Sequence, residues 1–198
     1  MTKNIHPIFA TMLAREAKEQ LLGQKAVVLW LTGLSGSGKS TIAKGLEKKL
    51  YDHGVLTRLL DGDNLRAGLN KNLGFSAADR EENIRRVAET ARLFLDTGIV
   101  TICSFVSPTL EIRSQAAEII GRDDFLEIFV DASFAACAQR DVKGLYARAL
   151  KGEIKDFTGL DAPFEPPEKP FLRIDTEKLS VEESVALVFQ QVMKIIKK

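Results

Sequence analysis

The chain has 198 residues, 45% of them hydrophobic, with 28 Lys and Arg against 27 Asp and Glu for a formal net charge of +1. That length suits one α/β domain or a domain with a lid. The near-neutral balance argues against nucleic acid or an anionic membrane as the main partner, and no apolar run is long enough to cross a bilayer.

Residues 1–24 read as a polar leader with a short helix around Leu13 to Leu22. The leader has neither a signal-peptide core nor a small-residue cleavage site, so a cytoplasmic protein is expected. From residue 25 to 198 a single domain is expected. Its strand candidates are Ala26–Thr32, Leu56–Leu60, Ile99–Ser104, Leu126–Val130 and a shorter one near Phe171–Ile174. Helical periodicity fills the gaps. Ile84, Val87, Ala88, Ala91, Phe94 and Leu95 recur every three or four residues, and Val185, Val188, Phe189, Val192, Ile195 and Ile196 repeat the pattern near the end. Strand–helix alternation predicts a mostly parallel sheet covered on both faces, with ligands at the carboxyl ends of the strands. Residues 140–170 break the alternation; they are charged and rich in Gly and Pro, as in a lid or binding loop. Within them LYARALKG predicts a short helix ending at Gly152. Cys103 and Cys137 lack metal-ligand or redox spacing and are read as buried thiols. His6 and His53 have no partners at catalytic spacing and are read as surface or packing residues.

The first apolar run ends in Gly33-Leu34-Ser35-Gly36-Ser37-Gly38-Lys39-Ser40, followed by Thr41. This matches G-x-x-x-x-G-K-[ST] between a strand and a helix. Glycines let the backbone curl so that successive N–H groups face phosphate oxygens, and the helix N-terminus adds partial positive charge. Lys39 would reach the β- and γ-phosphates, and the Ser40 hydroxyl would ligate Mg²⁺. The loop predicts a nucleoside triphosphate without naming its use. A GTPase would carry N-K-x-D, whereas Asn70-Lys71-Asn72-Leu73 lacks the Asp. A short chain with a long basic insertion suits a small-molecule kinase instead, because a lid excludes water from the phosphoryl group.

The second strand ends in Leu60-Asp61-Gly62-Asp63-Asn64-Leu65-Arg66. Two carboxylates beside a phosphate site suit Mg²⁺, and one suits a proton-accepting role toward an attacking hydroxyl. The plainer reading is an Asx turn capping the next helix.

The run DGDNLRAGLNKNLGFSAADREENIRR, followed by ICSFVSP and RDVKGLYARALKGEIKDFTGLDAPFEPPEKP, closely resembles the adenylylsulfate (APS) kinase family over nearly all of residues 25–198. The resemblance implies a P-loop kinase fold, with a five-stranded parallel sheet flanked by helices and a mobile lid. It implies transfer of the ATP γ-phosphoryl group to the 3′-hydroxyl of adenosine 5′-phosphosulfate, giving PAPS. It places Asp61 on the metal and acceptor-hydroxyl side with Asp63 near it. Arg66, Arg80 and Asn83 would hold the phosphosulfate and ribose, and Phe75 and Phe157 would stack on the adenine. Arg140 and Lys143 belong to the closing lid. Ser107 follows the third strand, where the family is described as having a phosphoserine site; contact with nucleotide phosphate is the reading preferred here, since positioning supplies most phosphoryl-transfer catalysis. The resemblance also suggests a homodimer and a functional link to an ATP sulfurylase. Thr109 departs from the family's usual Tyr.

Arg80, Asn83 and Arg86 lie at i, i+3 and i+6, so one helix face can carry all three. Plainer readings stay open: the two phenylalanines as loop anchors, and Arg66 and Arg80 as surface ion pairs with Glu81 or Glu82. Two other functions also stay open, a different small-molecule P-loop kinase and a non-catalytic ATP-binding module.

Overall fold

The apolar run Val28–Thr32 forms β1, buried along its whole length. The computed structural model, which describes residues 4–197, sets it at the centre of a parallel sheet. The other strands are β2 (Thr57–Asp61), β3 (Val100–Ser104), β4 (Phe125–Asp131) and β5 (Leu172–Asp175), and the order across the sheet is β2-β3-β1-β4-β5. All four ladders are parallel.

Successive β1 side chains leave on opposite faces, so a continuous apolar run serves two cores at once. Val27, Leu29 and Leu31 join the core under α2 (Lys39–Asp52) and α8 (Val181–Ile196). Val28 and Trp30 join the core under α4 (Ala77–Leu95) and α5 (Leu110–Ile120). Burying each large apolar side chain in these layers contributes about 1.5–3 kcal/mol. The helix starts are written locally. Ser76 caps α4, Thr109 caps α5, and Ser180 with Glu183 forms a reciprocal capping box at α8.

β1 is two residues shorter than the apolar run because the leader occupies Ala26. Its amide donates to Glu19 Oε1 at 2.8 Å, and its carbonyl accepts from Arg15 Nη2 at 2.6 Å. The leader helix α1 spans Arg15–Leu22, starting two residues beyond the expected Leu13, and stops at Gly23 in the left-handed region. Arg15 also forks onto Asp124, Lys18 donates to Asp96 O, and Gln24 donates to Leu56 O and Gly98 O. Those partners precede β4, β3 and β2, so α1 lies at the amino ends of the strands.

The carboxyl ends open onto the remaining elements. Asp61 leads into α3 (Gly62–Ala67), β4 leads into α6 (Phe134–Arg140), and α7 (Leu145–Leu150) lies within the 140–170 segment. The rest of that segment is turns. Cys103 and Cys137 are buried and unpaired. His53 packs against Phe189 with ring centroids 4.6 Å apart.

Candidate active site

Gly33 leaves the end of β1 with φ +149, and a Cβ there would stand 2.3 Å from Val130 O. Gly36 has φ +77 with Cys137 O close behind it. Both positions need glycine, for want of space and for backbone conformation. The loop so formed delivers Lys39 as the first residue of α2. Lys39 is buried, and its Nζ donates to Leu34 O at 2.7 Å. Burial is the main cause that lowers its pKa to about 8; neighbouring Asp61 and Asp63 pull the other way.

Three residues brace the loop from outside. Tyr146 donates its hydroxyl to Ser35 O at 2.7 Å, and Thr176 Oγ1 donates to Ser37 O at 3.0 Å. Arg140 donates to Thr176 O at 2.8 Å and reaches Gly36 O at 3.4 Å. Arg140, expected in the closing lid, lies at the end of α6 beside the loop. Tyr146 and Thr176 were missed. Thr176 directly follows β5, so the strand-end rule was the signal for it; Tyr146 belongs to the KGLY run, from which only the Lys was taken. The Ser37 hydroxyl is buried without a protein partner, and Thr41 lies exposed in the first turn of α2.

Asp61 serves two neighbours. One oxygen accepts from the Asp63 amide at 3.1 Å and caps α3; the other accepts from Ser40 Oγ at 2.6 Å. The Asx cap that was the plainer reading is made by Asp61, which keeps its second oxygen toward the loop. Asp61 and Ser104 are register partners on β2 and β3, and Ser104 Oγ lies 3.2 Å from Ser40 Oγ. Ser104 was not singled out in the sequence, because its place beside Asp61 depends on strand order. Asp63 is exposed and pairs with Lys143, which joins the 140–170 segment to the α3 side.

The arginines occupy the α3–α4 side. Arg66 stacks 4.4 Å from the Phe75 ring centroid and donates to Leu73 O and Gly74 O. Arg80 donates to Phe75 O at 2.8 Å, to Thr158 Oγ1 at 2.6 Å and to Asp156 O. Neither pairs with Glu81 or Glu82; Glu82 holds Arg85 and Arg86 instead. The shared face expected for Arg80, Asn83 and Arg86 divides three ways. Arg80 reaches across to residues 156–158. Asn83 is buried and accepts from Asn70 Nδ2 at 3.0 Å. Arg86 turns back to Asn72 and Leu69 O.

Two expectations need correction. Phe75 and Phe157 do not stand as two open plates. Phe75 is 65% exposed, but Phe157 is 8% exposed and packs edge-on against Tyr146 at 4.9 Å, in a cluster with Ala132, Cys137 and Ala149. Nor does the Ser107 hydroxyl open onto the loop. It is 2% exposed, accepts from Trp30 Nε1 at 3.1 Å and donates to Thr32 Oγ1 at 3.0 Å. A φ of +38 at Ser107 turns the chain so that its side chain enters the core. Both differences share one cause, apolar and polar partners already present inside the fold.

A family model described as adenylylsulphate kinase matches residues 25–175. An adenylyl-sulfate kinase of Phocaeicola vulgatus is 61% identical over 196 residues, covering 99% of this chain and 96% of that protein. One from Clostridium acetobutylicum is 55% identical, with 88% and 87% covered. Among solved structures, a Mycobacterium tuberculosis APS kinase in complex with AMPPNP and APS superposes with a TM-score of 0.82 at 44% identity, covering 85% of this chain and 98% of that one. With a family model over most of its length and relatives of such identity end to end, the chain belongs to the adenylylsulfate kinase family.

Proposed function

We propose that this ATP-dependent adenylylsulfate kinase moves the γ-phosphoryl group across the gap between Lys39 and Asp61. The supporting observation is Ser40 standing 2.6 Å from Asp61 at the start of α2, with the arginines of α3 and α4 on the far side. Lys39, released from Leu34 O, carries positive charge to the β- and γ-phosphates. The loop amides supply fixed dipoles that need no reorganisation during transfer. Asp61 orients the 3′-hydroxyl of adenosine 5′-phosphosulfate and takes its proton. Arg66 and Arg80 hold the phosphosulfate through forked, charge-assisted hydrogen bonds, and Phe75 offers an open ring to the purine. Arg80 does so by turning Nη2 from Asp156 O to the anion while Thr158 keeps hold of Nη1.

The Ser40 hydroxyl and the Asp61 carboxylate fit Mg²⁺ by donor chemistry. Among the described residues no group of three His, Cys, Asp or Glu gathers as a cation cage. Two protein oxygens, with phosphate and water oxygens for the rest, is the usual magnesium arrangement at a nucleotide. When bound, the ion supplies charge neutralisation on the β- and γ-phosphate oxygens.

Residues 140–170 act as the lid in this reading, with Lys143 and Arg140 closing over the nucleotides. The same reading takes the enzyme to be a cytoplasmic homodimer supplied with substrate by an ATP sulfurylase. In support of the compartment, no described helix is long and apolar enough to cross a membrane, and both cysteines are unpaired.

The experiment is turnover with ATP, magnesium and adenosine 5′-phosphosulfate, following ADP and PAPS, with adenosine 5′-phosphate as the control acceptor. PAPS is expected from the sulfated acceptor alone. Asp61→Asn is expected to lower kcat by about 10²–10⁴ with little change in ATP affinity. Absence of PAPS from the parent, or near-parental turnover by Asp61→Asn, would overturn the assignment.

A further inference from the structure

Arg113 lies in α5 with 3% of its surface exposed. Its Nε stands 2.7 Å from Glu127 Oε1 on β4. Its two terminal nitrogens point elsewhere: Nη1 donates to Ser107 O at 2.7 Å, and Nη2 donates to Glu165 O at 2.6 Å. Glu165 answers from its own side. Its amide donates to Pro108 O at 2.8 Å, and its carboxylate accepts from the Leu110 amide at 2.7 Å in the first turn of α5. Next to Glu165, the Phe164 ring lies 5.9 Å from the Arg113 guanidinium and stacks on Phe129 at 6.0 Å. One buried cation thus joins β4, the turn after β3 and the segment returning from the lid.

Stability alone does not explain such a group. A buried ion pair is often matched or bettered by apolar residues of similar volume, because desolvation offsets the attraction. Burial pushes the Glu127 carboxyl up and the Arg113 guanidinium down, the sign expected of a desolvated pair. What the fork supplies is geometry, a fixed spacing between two backbone carbonyls that belong to different segments.

That spacing reaches the acceptor side of the site in a few residues. Just before Glu165 the chain makes a tight turn, in which Asp161 accepts from the Asp156 and Phe157 amides and the Gly159 amide donates to Ala162 O. This turn presents Thr158 to Arg80. We infer that Arg113 is a positioning residue for adenylylsulfate: with Glu165 it clamps the returning end of the lid to the β3–α5 turn, so that Thr158 meets Arg80 in one register. The inference rests on the acceptor-side role given above to Arg80.

Arg113→Lys tests it. The lysine keeps a counter-charge for Glu127 but cannot bond both carbonyls as a fork does. The expected result is a KM for adenylylsulfate raised about tenfold with the KM for ATP within about twofold of the parent. Amide exchange across residues 156–165 should quicken while α4 and α5 keep their protection. A folded variant with parental KM for adenylylsulfate and parental exchange would overturn the clamp, as would a lowered Tm with both kinetic constants unchanged. If Arg113→Lys does not fold, the double variant Arg113→Met/Glu127→Leu, which removes both charges together, is read by the same measures. Should the parent make no PAPS, the functional assignment fails, and exchange at 156–165 still decides whether the clamp exists.

Discussion

Lys39 carries the sharpest residue-scale consequence. Its ammonium is buried against a backbone carbonyl, and that burial lowers its pKa to about 8 from an ordinary 10.5. The sign follows from linkage. The folded chain holds the proton less tightly than the unfolded chain, so between about pH 8 and 10.5 the unfolded state binds more protons and stability rises with pH. A bound triphosphate favours the charged form and reverses the shift. ATP binding above pH 8 should therefore take up a proton, and ATP affinity should fall as pH rises through that value. Calorimetry at pH 8.5 in two buffers of different ionisation heat measures the uptake; identical heats after Lys39→Arg, against different heats for the parent, would assign it to this lysine.

At the scale of elements, the bracing of the glycine loop by α7 is open to test. Tyr146→Phe keeps the ring that packs on Phe134 and Phe157 and removes only the hydroxyl bonded to Ser35 O. An unmade buried hydrogen bond costs about 1–3 kcal/mol. The KM for ATP should rise while that for adenylylsulfate holds, the reverse of the split expected for Arg113→Lys; equal effects on both would deny α7 a specific link to the loop. The elements themselves were mostly legible. Each strand lies within two residues of its apolar run, and β1 and β3, buried along their whole length, demand such a run most strictly. The glycine loop was legible for a similar reason, since eight consecutive residues contain its chemistry. Ser104, Tyr146, Thr176 and Arg113 were not, since each acquires its role from a partner many residues away. Ser104 meets Ser40 only because β3 lies beside β2, and no local pattern encodes that neighbourhood. Phe157 and Ser107 were misplaced for the complementary reason. Their motifs announced a site, but motif position does not say whether a side chain points out or in.

The whole molecule divides its two ends between different tasks. The carboxyl ends of the strands gather the glycine loop, Asp61 and the 140–170 segment, while α1 closes the amino ends through Arg15, Lys18 and Gln24. A polar helix can hold that position because its contacts are forks and caps onto otherwise bare strand termini, each at hydrogen-bonding distance. This arrangement explains why the chain keeps a leader whose apolar side chains stay largely in solvent.

The α1 placement also makes the protein convenient to handle. Leu21 projects from that helix into solvent, and both native thiols are shut inside the fold. Leu21→Cys should introduce the one group that reacts promptly with a maleimide under native conditions; two further equivalents should react only in denaturant. Molecules anchored to glass through that position would turn their catalytic mouths toward the bulk, so that the closure proposed for residues 140–170 could be sought one enzyme at a time.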